Sequence, residues 1–456
     1  MKVLVIGKGG REHALVWKLT QSPRVTKVFC APGNAGTALD ATNLAIEPEE
    51  TDKIIRFCKK EGVGLVVIGP EAPLAVGITD VLQKAGLRVF GPTKAAAELE
   101  ASKVFAKEVM RHADIPTAEY RCFDHPEPAR RYIESRDFPV VVKADGLAAG
   151  KGVIVCSNTA EALAAVDLIM VKEAFGKAGR KVVVEKRLDG YEVSVLALVS
   201  GRGILTLPLT QDHKAAFDND EGPNTGGMGA YSPANSVTPE QLAEIEKTII
   251  IPTVHAMRRG RKSFRGVLFV GVMMSSQGPK VLEYNVRFGD PETQVILMRL
   301  KSDLLDLLEA VVDSNLDSYD LSKLEWDPRP AVTVVLAAQG YPNSSSKGKL
   351  ITGLEAVAKE KDVKVFHAGT KLVDKRVLTD GGRILNVTAL GDTLAEAREK
   401  AYSVIPKLEY QGMFFRKDIA AKAITDQIVK KKKKAKAKAK EAAAVAEEAK
   451  TTEETS

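Results

Sequence analysis

Residues 2–13 read Lys-Val-Leu-Val-Ile-Gly-Lys-Gly-Gly-Arg-Glu-His, and this stretch decides the fold of the first part of the chain. A short apolar run, Val3–Ile6, enters a glycine loop and then an amphipathic segment, which is the order of strand, turn and helix. The same order recurs after Val25–Cys30 and after Leu65–Ile68. This repetition predicts an α/β fold with a doubly wound parallel sheet, whose three glycine-bearing loops line one ligand crevice.

The first glycine loop, Gly7-Lys8-Gly9-Gly10, departs from the dinucleotide-binding pattern G-x-G-x-x-G, because Glu12 stands where the last glycine is needed. Support for a dinucleotide cofactor is therefore weak. A phosphate at the N-terminus of the following helix remains an open alternative. Tight turns alone would also explain Gly9, Gly10 and Gly36.

The bulk composition is that of a soluble globular protein with several domains. A length of 456 residues favours roughly three domains, and 45% apolar with 27% charged residues is ordinary for a globular protein. No run approaches the ~18 apolar residues that span a bilayer, and the N-terminus indicates a first strand instead of a secretory signal. The four cysteines form no C-x-x-C pair, so we expect buried thiols in a reducing cytoplasm.

The net charge of +7 is unevenly distributed along the chain. Residues 429–456 hold nine lysines and five glutamates, which is +4, and leave +3 for the rest. This low-complexity composition predicts a disordered tail over 427–456. The tail could contact RNA, an anionic membrane or nothing, and we favour no specific nucleic acid and no membrane as partner.

Residues 282–294, Leu-Glu-Tyr-Asn-Val-Arg-Phe-Gly-Asp-Pro-Glu-Thr-Gln, follow an apolar run and a Gly-Pro turn, which predicts the second strand of a hairpin. Alternation places Glu283, Asn285 and Arg287 on one face, and Leu282, Tyr284 and Val286 on the other. A carboxylate and an amide oxygen suit Mg²⁺ that carries nucleotide phosphates, and an arginine beside them can hold a phosphoryl group or a carboxylate. A half-buried strand with a solvated polar face is the alternative.

Residues 145–152, Asp-Gly-Leu-Ala-Ala-Gly-Lys-Gly, join two short strands and can form a flap over phosphates. Lys151 in the flap and Lys143 on the preceding strand would supply positive charge. The loop is no Walker motif, because Gly152 stands where Ser or Thr is needed. Two solvated surface lysines are the alternative interpretation.

Two further regions carry polar groups that suit a nucleotide site. Glu185 ends a strand, and a carboxylate there can hold a ribose hydroxyl while the main chain near 185–188 contacts adenine. Residues 211–233 form a long polar, glycine-rich segment, and such a loop in a compact domain is usually functional or disordered. His213 within it is a candidate general base, although a lone histidine more often makes a structural hydrogen bond.

Several longer motifs together give the chain its resemblance to a known family. It resembles the ATP-grasp ligases and, more narrowly, the phosphoribosylamine–glycine ligase family, from Met1 to about Ile424. The motifs are Gly9-Gly10-Arg11-Glu12-His13, Pro32-Gly33-Asn34-Ala35-Gly36, Gly69-Pro70-Glu71, Gln211-Asp212-His213-Lys214, residues 222–231 and Arg287-Phe288-Gly289-Asp290-Pro291-Glu292.

The resemblance implies an order of domains. We expect an N-terminal substrate-binding domain at 1–100 and an ATP-grasp domain at 101–328, in which residues 123–192 form a mobile cover over ATP. A small α+β domain at 329–426 and the tail would follow. The resemblance also implies a cytoplasmic enzyme, and we expect a monomer, with a dimer as the alternative.

The resemblance further implies that ATP, glycine and 5-phosphoribosylamine give glycinamide ribonucleotide, ADP and phosphate through a glycyl phosphate. Mg²⁺, or Mn²⁺, would be held by Glu283 and Asn285, and the catalytic residues would be Arg287, Lys214, Asp212 and Lys151. ATP would be bound by Lys103, Lys143, Gly150, Lys151, Gly152, Glu185, Leu188 and Glu192. The other substrates would be bound by Gly9, Gly10, Asn34, Glu71, Asp212, Lys214, Asn224, Gly226, Gly227, Met228 and Gly229.

The chain departs from the family pattern at four positions before the tail. Ala215 stands where arginine is usual, Asn219 where glycine is usual, and Lys186 where a second acidic residue is usual. Gly271 stands where many ATP-grasp enzymes carry an acidic metal ligand, so the metal would rely on fewer protein ligands. The tail has no counterpart in the family.

Two other functions compete with this ligase. A different ATP-grasp carboxylate–amine ligase or a purine-pathway carboxylase would share the ATP site, but residues 211–231 and the run after Arg287 argue against it. A binding protein could instead use an inactive ATP-grasp fold and the basic tail to hold RNA. The retained polar residues, Lys143 and Glu283 among them, argue against that alternative.

Overall fold

The structure is a computed structural model that describes residues 1–148, 150–427 and 429. The predicted tail lies almost wholly outside the described residues, so its disorder and partners stay predictions. None of the helices in the described part of the chain combines the length and apolar character that a membrane crossing requires.

The N-terminal unit is a five-stranded parallel sheet with helices on both faces. Its elements are β1 (Lys2–Gly7), α1 (Gly10–Leu19), β2 (Lys27–Pro32), α2 (Thr37–Asp40), β3 (Thr42–Asn43), α3 (Thr51–Glu61), β4 (Val63–Ile68), α4 (Glu71–Val76), α5 (Ile78–Lys84) and β5 (Val89–Phe90). The strand order β3-β2-β1-β4-β5 confirms the predicted doubly wound sheet. Alternate side chains of β1 enter two separate cores, Leu4 and Ile6 one and Val3 and Val5 the other, because both faces are covered.

Two helices, α6 (Lys94–Ala101) and α7 (Lys103–His112), lead to a small antiparallel sheet. Its elements are β6 (Tyr120–Phe123), α8 (Pro126–Glu134), β7 (Val140–Ala144), β8 (Val153–Val155), α9 (Thr159–Val166) and β9 (Val182–Lys186). The strand order is β6-β9-β7-β8, and α8 and α9 cover one face with a core of their own. We name this unit, residues 120–186, the cover sheet. The predicted flap joins β7 to β8.

The central unit is built on the four-stranded antiparallel sheet β11-β10-β16-β17. Its elements are β10 (Tyr191–Ser200), β11 (Gly203–Thr206), β12 (Gln211–Asp212), β13 (Ala215–Phe217), β14 (Glu221–Asn224), β15 (Gly229–Ser232), α10 (Pro239–Ile245), α11 (Ile251–Arg259), β16 (Arg265–Ser275), β17 (Gly278–Asn285), α12 (Glu292–Arg299) and α13 (Leu304–Val312). The predicted hairpin is β16 and β17, so the polar strand Glu283–Asn285 lies at the edge of this sheet.

The C-terminal unit combines an antiparallel sheet with helices, as predicted. Its elements are β18 (Ala331–Ala337), α14 (Leu354–Val357), β19 (Val363–His367), β20 (Thr370–Val373), β21 (Arg376–Thr379), β22 (Arg383–Leu390) and α15 (Leu394–Val404). Its main sheet has the order β12-β15-β18-β22-β19. Two strands of the long polar segment, β12 and β15, therefore join the C-terminal sheet, and this segment ties the central and C-terminal units together.

Candidate functional site

A cavity of about 630 Å³ lies where the units meet. The carboxyl ends of β1, β2 and β4 contribute Gly7–Gly9, Pro32 and Pro70–Glu71, so the three glycine-bearing loops line one crevice as the fold predicts. The flap, β17 and the segment 212–226 close the other walls. Most of the predicted site residues border this cavity: Gly9, Glu71, Lys103, Lys143, Gly150, Lys151, Gly152, Glu185, Asp212, Lys214, Gly226, Glu283, Asn285 and Arg287.

The edge strand β17 presents Glu283 and Asn285 to the cavity, but the predicted alternation fails at Leu282. A β-bulge between the pairs Gly271–Glu283 and Val272–Val281 leaves Leu282 without a partner residue. The Nζ of Lys143 donates a hydrogen bond to the carbonyl oxygen of Leu282 at 2.9 Å. The bulge therefore connects the metal-ligand candidates to the strand that carries the flap.

Lys214 joins two carboxylates at the predicted metal position. Its Nζ lies 3.1 Å from Oε1 of Glu283 and also contacts Oε1 of Glu192. The ammonium of Lys214, more than any other group, lowers the pKa of Glu283 to about 2. Burial opposes the charge of Lys214, but Glu192 and Glu283 raise its pKa well above the usual value.

These residues fit a divalent cation that is shared with a nucleotide. The position already attracts one cationic group, the Lys214 ammonium, and offers the hard oxygen donors that Mg²⁺ and Mn²⁺ prefer. Among the described residues no group of three or more His, Cys, Asp and Glu side chains has the arrangement of a metal site. The protein would thus hold the ion with Glu283 and Asn285, and phosphate oxygens would complete its coordination.

Glu192 does not border the cavity directly but lies over Gly271. A Cβ atom on Gly271 would sit 3.4 Å from Oε1 of Glu192 and 3.4 Å from Cγ of Glu283. The space in which many ATP-grasp enzymes place an acidic side chain is therefore bordered by the Glu192 carboxylate. Lys214 contacts both Glu192 and Glu283, and the spacing of these residues in the sequence does not predict that they lie together.

Arg287 is held between two carboxylates from the N-terminal unit. Its Nε lies 3.1 Å from Oε2 of Glu71, and its Nη2 lies 3.2 Å from Oε1 of Glu100. Nη2 also donates to Oδ1 of Asn285 at 3.1 Å. Burial opposes ionisation of Glu71, but Arg287 and Arg11 lower its pKa to about 2. Burial raises the pKa of Glu100 to about 7 despite the nearby guanidinium.

A buried ion network lies beneath the cover sheet. Oε1 of Glu185 is 3.1 Å from Nζ of Lys107, and Oε2 of Glu185 is 3.1 Å from Nζ of Lys143. Burial lowers the pKa of Lys107 to about 8, although Glu185 opposes this shift. Burial also lowers the pKa of Lys103, whose Nζ donates to the carbonyl of Gly146. This wall presents more ammonium groups than carboxylates, which suits polyphosphate.

The wall opposite the cover sheet carries carboxyl groups. Oδ1 of Asp212 accepts a hydrogen bond from the His213 N–H at 2.7 Å, and Oε1 of Glu292 accepts one from Ser194 Oγ at 3.2 Å. Burial raises the pKa of both carboxyl groups, and Glu292 raises the pKa of Asp212 further. Arg383 of the C-terminal unit also borders this wall.

The other predicted site residues lie outside the cavity lining. They are Gly10, Asn34, Leu188, Glu192, Asn224, Gly227, Met228 and Gly229. Asn34 is buried, donates to the carbonyls of Lys8 and His367, and accepts from the N–H groups of Gly36 and Thr37. Its amide is therefore occupied within the protein in this structure.

His213 makes a structural hydrogen bond, which was the favoured interpretation. Its Nε2 accepts from the N–H of Ala420 at 3.2 Å, so this nitrogen carries no proton. Burial, assisted by Arg416, lowers the pKa of His213 to about 4. The neutral ring of His213 therefore connects the polar segment 211–233 to the main chain at Ala420.

The cavity is also bordered by polar residues for which the sequence predicts no role, among them Glu100, Lys107, Tyr341 and Arg383. Glu100 lies in α6 and Lys107 in α7, and the helical periodicity of these segments does not distinguish the two residues from ordinary charged residues of a helix. Tyr341 and Arg383 lie in the C-terminal unit, more than a hundred residues from the loop they contact. Glu292 belongs to a quoted motif, but the motif alone gave it no role.

A glycine-rich flap above buried lysines, with a Glu-x-Asn-x-Arg strand across the cavity, defines an ATP-dependent ligase of the ATP-grasp class. Three family models match consecutive parts of the chain: the phosphoribosylglycinamide synthetase N domain at 1–100, its ATP-grasp (A) domain at 101–293 and its C domain at 331–422. The chain belongs to the phosphoribosylglycinamide synthetase family.

Individual relatives agree with this membership. The phosphoribosylamine–glycine ligase of Rhodopirellula baltica is 55% identical over 428 residues, which cover 92% of this chain and 98% of that protein. The enzyme of the same name from Halalkalibacterium halodurans is 48% identical, with coverages of 94% and 99%. The crystal structure of phosphoribosylamine–glycine ligase from Thermotoga maritima superposes with a TM-score of 0.79 at 36% identity, covering 92% of this chain and all of that one.

A more distant likeness extends to the fold alone. The biotin carboxylase domain of Hydrogenobacter thermophilus 2-oxoglutarate carboxylase has a TM-score of 0.70 at 16% identity and covers 91% of each chain. Family membership makes this protein an ATP-dependent carboxylate–amine ligase of purine biosynthesis that acts on small molecules. The alternative of an inactive fold that binds RNA is not supported, because the family and the relatives that the chain matches are ligases.

Proposed function

We propose that this chain joins glycine to 5-phosphoribosylamine in two steps. An oxygen of the glycine carboxylate attacks the γ-phosphorus of ATP, the bond to the β,γ-bridging oxygen breaks, and ADP leaves. The amine of 5-phosphoribosylamine then attacks the carbonyl carbon of glycyl phosphate, loses a proton and expels inorganic phosphate. The product is glycinamide ribonucleotide. The observation that carries this proposal is the meeting of the flap, the Glu283–Arg287 strand and the N-terminal loops at one cavity.

The residues on three sides of the cavity support a separate position for each of the three substrates. Lys103, Lys143 and Lys151 border the side next to the cover sheet, where ATP phosphates would find opposite charge. Gly9 and Glu71 border the side formed by the N-terminal loops, which we assign to 5-phosphoribosylamine. Asp212 and Lys214 border the third side, which we assign to glycine. This arrangement brings a carboxylate, a phosphoryl group and an amine together.

A Mg²⁺ ion held by Glu283 and Asn285 would neutralise phosphate charge during phosphoryl transfer, and Mn²⁺ suits the same oxygen donors. Arg287 stays charged because Glu100 and Glu71 raise its pKa against the effect of burial. Its guanidinium can therefore bind the glycine carboxylate or the transferring phosphoryl group. The Lys214 ammonium, placed 3.1 Å from Glu283, adds a second cation at the point of transfer.

The cover sheet is proposed to move when ATP binds. The flap glycine Gly150 has a φ of +78°, and a Cβ atom on it would sit 3.3 Å from the carbonyl oxygen of Thr225. The flap therefore approaches the opposite wall closely, and entry of a nucleotide requires it to open.

The proposed working unit is a monomer, since residues of one chain supply every group named on the cavity walls. Light scattering after size-exclusion chromatography tests this point. The proposed place of action is the cytoplasm, because ATP is the substrate and the cysteines Cys30, Cys58, Cys122 and Cys156 are all free thiols.

The direct test is phosphate release from ATP with glycine and freshly prepared 5-phosphoribosylamine, supplied separately and together. We expect release that requires both substrates, with glycinamide ribonucleotide identified by mass. Release with another carboxylate but not with glycine would overturn the substrate assignment. Absence of release under every combination would contradict the ligase itself.

A further inference from the structure

Two side chains of the C-terminal unit hold the main chain of one residue, Gly226, on the glycine side of the cavity. The N–H of Gly226 donates to the hydroxyl oxygen of Tyr341 at 3.0 Å, and Nη1 of Arg383 donates to the carbonyl of Gly226 at 2.6 Å. Arg383 also donates to the carbonyl of Asp290 at 2.6 Å. Gly226 is thus bound at both its donor and its acceptor by residues far away in sequence.

The approach of Arg383 to Gly226 leaves little room for a side chain there. A Cβ atom on Gly226 would sit 3.0 Å from Cζ of Arg383. Nη1 of Arg383 also lies 3.5 Å from Oδ1 of Asp290. Burial lowers the pKa of Arg383, but the negative charge of Asp290, with smaller contributions from Asp212 and Glu292, raises it above the ordinary value. Arg383 therefore fixes the main chain and balances the carboxyl groups of this wall.

The clamped loop is connected to the catalytic lysine through main-chain contacts. Both the N–H and the Oγ1 of Thr225 donate to the carbonyl of Lys214 at 2.8 Å, and the N–H of Gly227 donates to Thr225 Oγ1 at 2.9 Å. A Cβ atom on Gly227 would sit 2.7 Å from Oδ1 of Asp212. A shift of residues 225–227 would therefore displace both Lys214 and the surroundings of Asp212.

The nucleotide wall shares none of these contacts. Lys107 and Lys143 both contact Glu185, and their other hydrogen bonds go to Oγ1 of Thr117 and to the carbonyl of Leu282. A change at Tyr341 or Arg383 is therefore expected to act mainly on the wall that carries residues 225–227, which the flap approaches only through Gly150 and Thr225 among the contacts described above.

We propose that Tyr341 and Arg383 are positioning residues that set the affinity for the amino-acid substrate by fixing residues 225–227. The C-terminal unit thereby governs glycine binding while ATP binding depends on the cover sheet. The inference rests on the proposed function for the assignment of glycine to this wall.

The test is Tyr341→Phe, with Tyr410→Phe as the matched control. Tyr410 lies in the same unit, is buried, and donates its hydroxyl to the carbonyl of Ala337 at 3.1 Å, so the control also loses one buried hydroxyl. Because the N–H of Gly226 loses its acceptor, we expect the KM for glycine to rise about tenfold, with the KM for ATP within about twofold of wild type. Tyr410→Phe should leave both KM values unchanged.

Arg383→Met should have a larger effect than Tyr341→Phe, because Nη1 of Arg383 donates to the carbonyls of both Gly226 and Asp290 and methionine can donate to neither. Equal increases in both KM values, or an unchanged KM for glycine in Tyr341→Phe, would overturn the proposal. A general loss of stability would appear equally in the melting temperature of Tyr410→Phe, which separates it from the positioning effect.

Hydrogen exchange measured by mass spectrometry tests the clamp independently of the reaction. Peptides that contain residues 224–228 should exchange faster in Tyr341→Phe than in wild type or in Tyr410→Phe. Unchanged exchange would refute the clamp. Faster exchange in a protein whose wild type shows no glycine-dependent turnover would retain the clamp and refute the proposed function.

Discussion

The two facing walls of the cavity carry opposite excesses of charge: ammonium groups outnumber carboxylates on one wall, and carboxylates outnumber ammonium groups on the other. Beneath the cover sheet, the single carboxylate of Glu185 lies between Lys107 and Lys143, so ammonium groups are in excess. On the facing wall, one ammonium, that of Lys214, contacts the two carboxylates Glu192 and Glu283, and half-buried Asp212 lies nearby. The excess of positive charge on the first wall favours polyphosphate, whereas the excess of carboxylates on the second favours cationic groups. We infer that this difference in charge directs ATP to the first wall and the amino acid to the second.

The largest effect is expected where the two walls meet. Glu283→Ala combined with Asn285→Ala should lower turnover at least about a thousandfold, because the metal that neutralises phosphate charge contributes several kcal/mol. Turnover and Mn²⁺ binding in the presence of ADP, followed by electron paramagnetic resonance, are the measurements. Gln277→Ala on the exposed turn of the same hairpin is the control. Near-normal turnover of a folded double variant would refute the metal assignment.

Exchanging one lysine on each wall separates the two substrates. Lys143→Met should raise the KM for ATP about tenfold to a hundredfold, since charge-assisted hydrogen bonds are worth about 1.5–3 kcal/mol, and should spare the KM for glycine. Lys214→Met should lower kcat and raise the KM for glycine, and should alter ADP affinity less than Lys143→Met does.

Steady-state kinetics and calorimetric titration with ADP check both variants. Lys186→Met, which removes the exposed lysine next to Glu185, is the control for loss of charge. If both substitutions at the cavity affected ATP and glycine alike, the division of the walls would be wrong.

Glu100 makes the surroundings of Arg287 sensitive to pH. Because burial raises its pKa to about 7, the folded protein keeps a proton that the unfolded chain loses between its ordinary pKa of 4.5 and about pH 7. Relative to Glu100→Gln, the free energy of unfolding of the wild type should therefore fall over this window, by about 3 kcal/mol in total, and level off above it.

Urea unfolding of both proteins from pH 4.5 to 8.5 measures this difference. Glu98→Gln, on the same helix and in contact with Lys262, is the control. A difference between wild type and Glu100→Gln that stays constant with pH would contradict the raised pKa.

The smallest effect is expected at Asn219, in the exposed turn between β13 and β14. Its φ is +62°, a conformation that asparagine tolerates better than other residues with side chains. Asn219→Gly should therefore change the free energy of unfolding by less than about 1 kcal/mol, whereas Asn219→Ala should destabilise by about 1–2 kcal/mol. Thermal unfolding checks both. Equal stability of the two variants would show that the backbone conformation is not what selects this residue.

The sequence predicted those parts of the site that depend on local order. The strand–loop–helix repeats place Gly9 and Glu71 at one sheet edge, and period-two alternation places Glu283 beside Asn285. Alternation could not predict the bulge at Leu282, because a bulge depends on the partner strand. The departure at Ala215 is accommodated: Ala215 is buried, and its carbonyl accepts from Arg416.

Contacts between distant parts of the chain were beyond the sequence. Tyr341 and Arg383 reach Gly226 across more than a hundred residues, and no periodicity records that approach. The location of Lys214 between Glu192 and Glu283 likewise requires three strands to be assembled. The motifs therefore predict the groups that we propose to react, whereas the side chains that contact these groups became visible only in the fold.

We propose above that glycine is activated by phosphoryl transfer at the junction of the two walls. The most direct measurement is a single turnover with glycine labelled with ¹⁸O in both carboxylate oxygens, followed by mass analysis of the released phosphate. Attack of the carboxylate on ATP predicts one ¹⁸O atom in each phosphate, with the other kept in the amide of the product. Phosphate without ¹⁸O would contradict the glycyl phosphate and with it this account of the site.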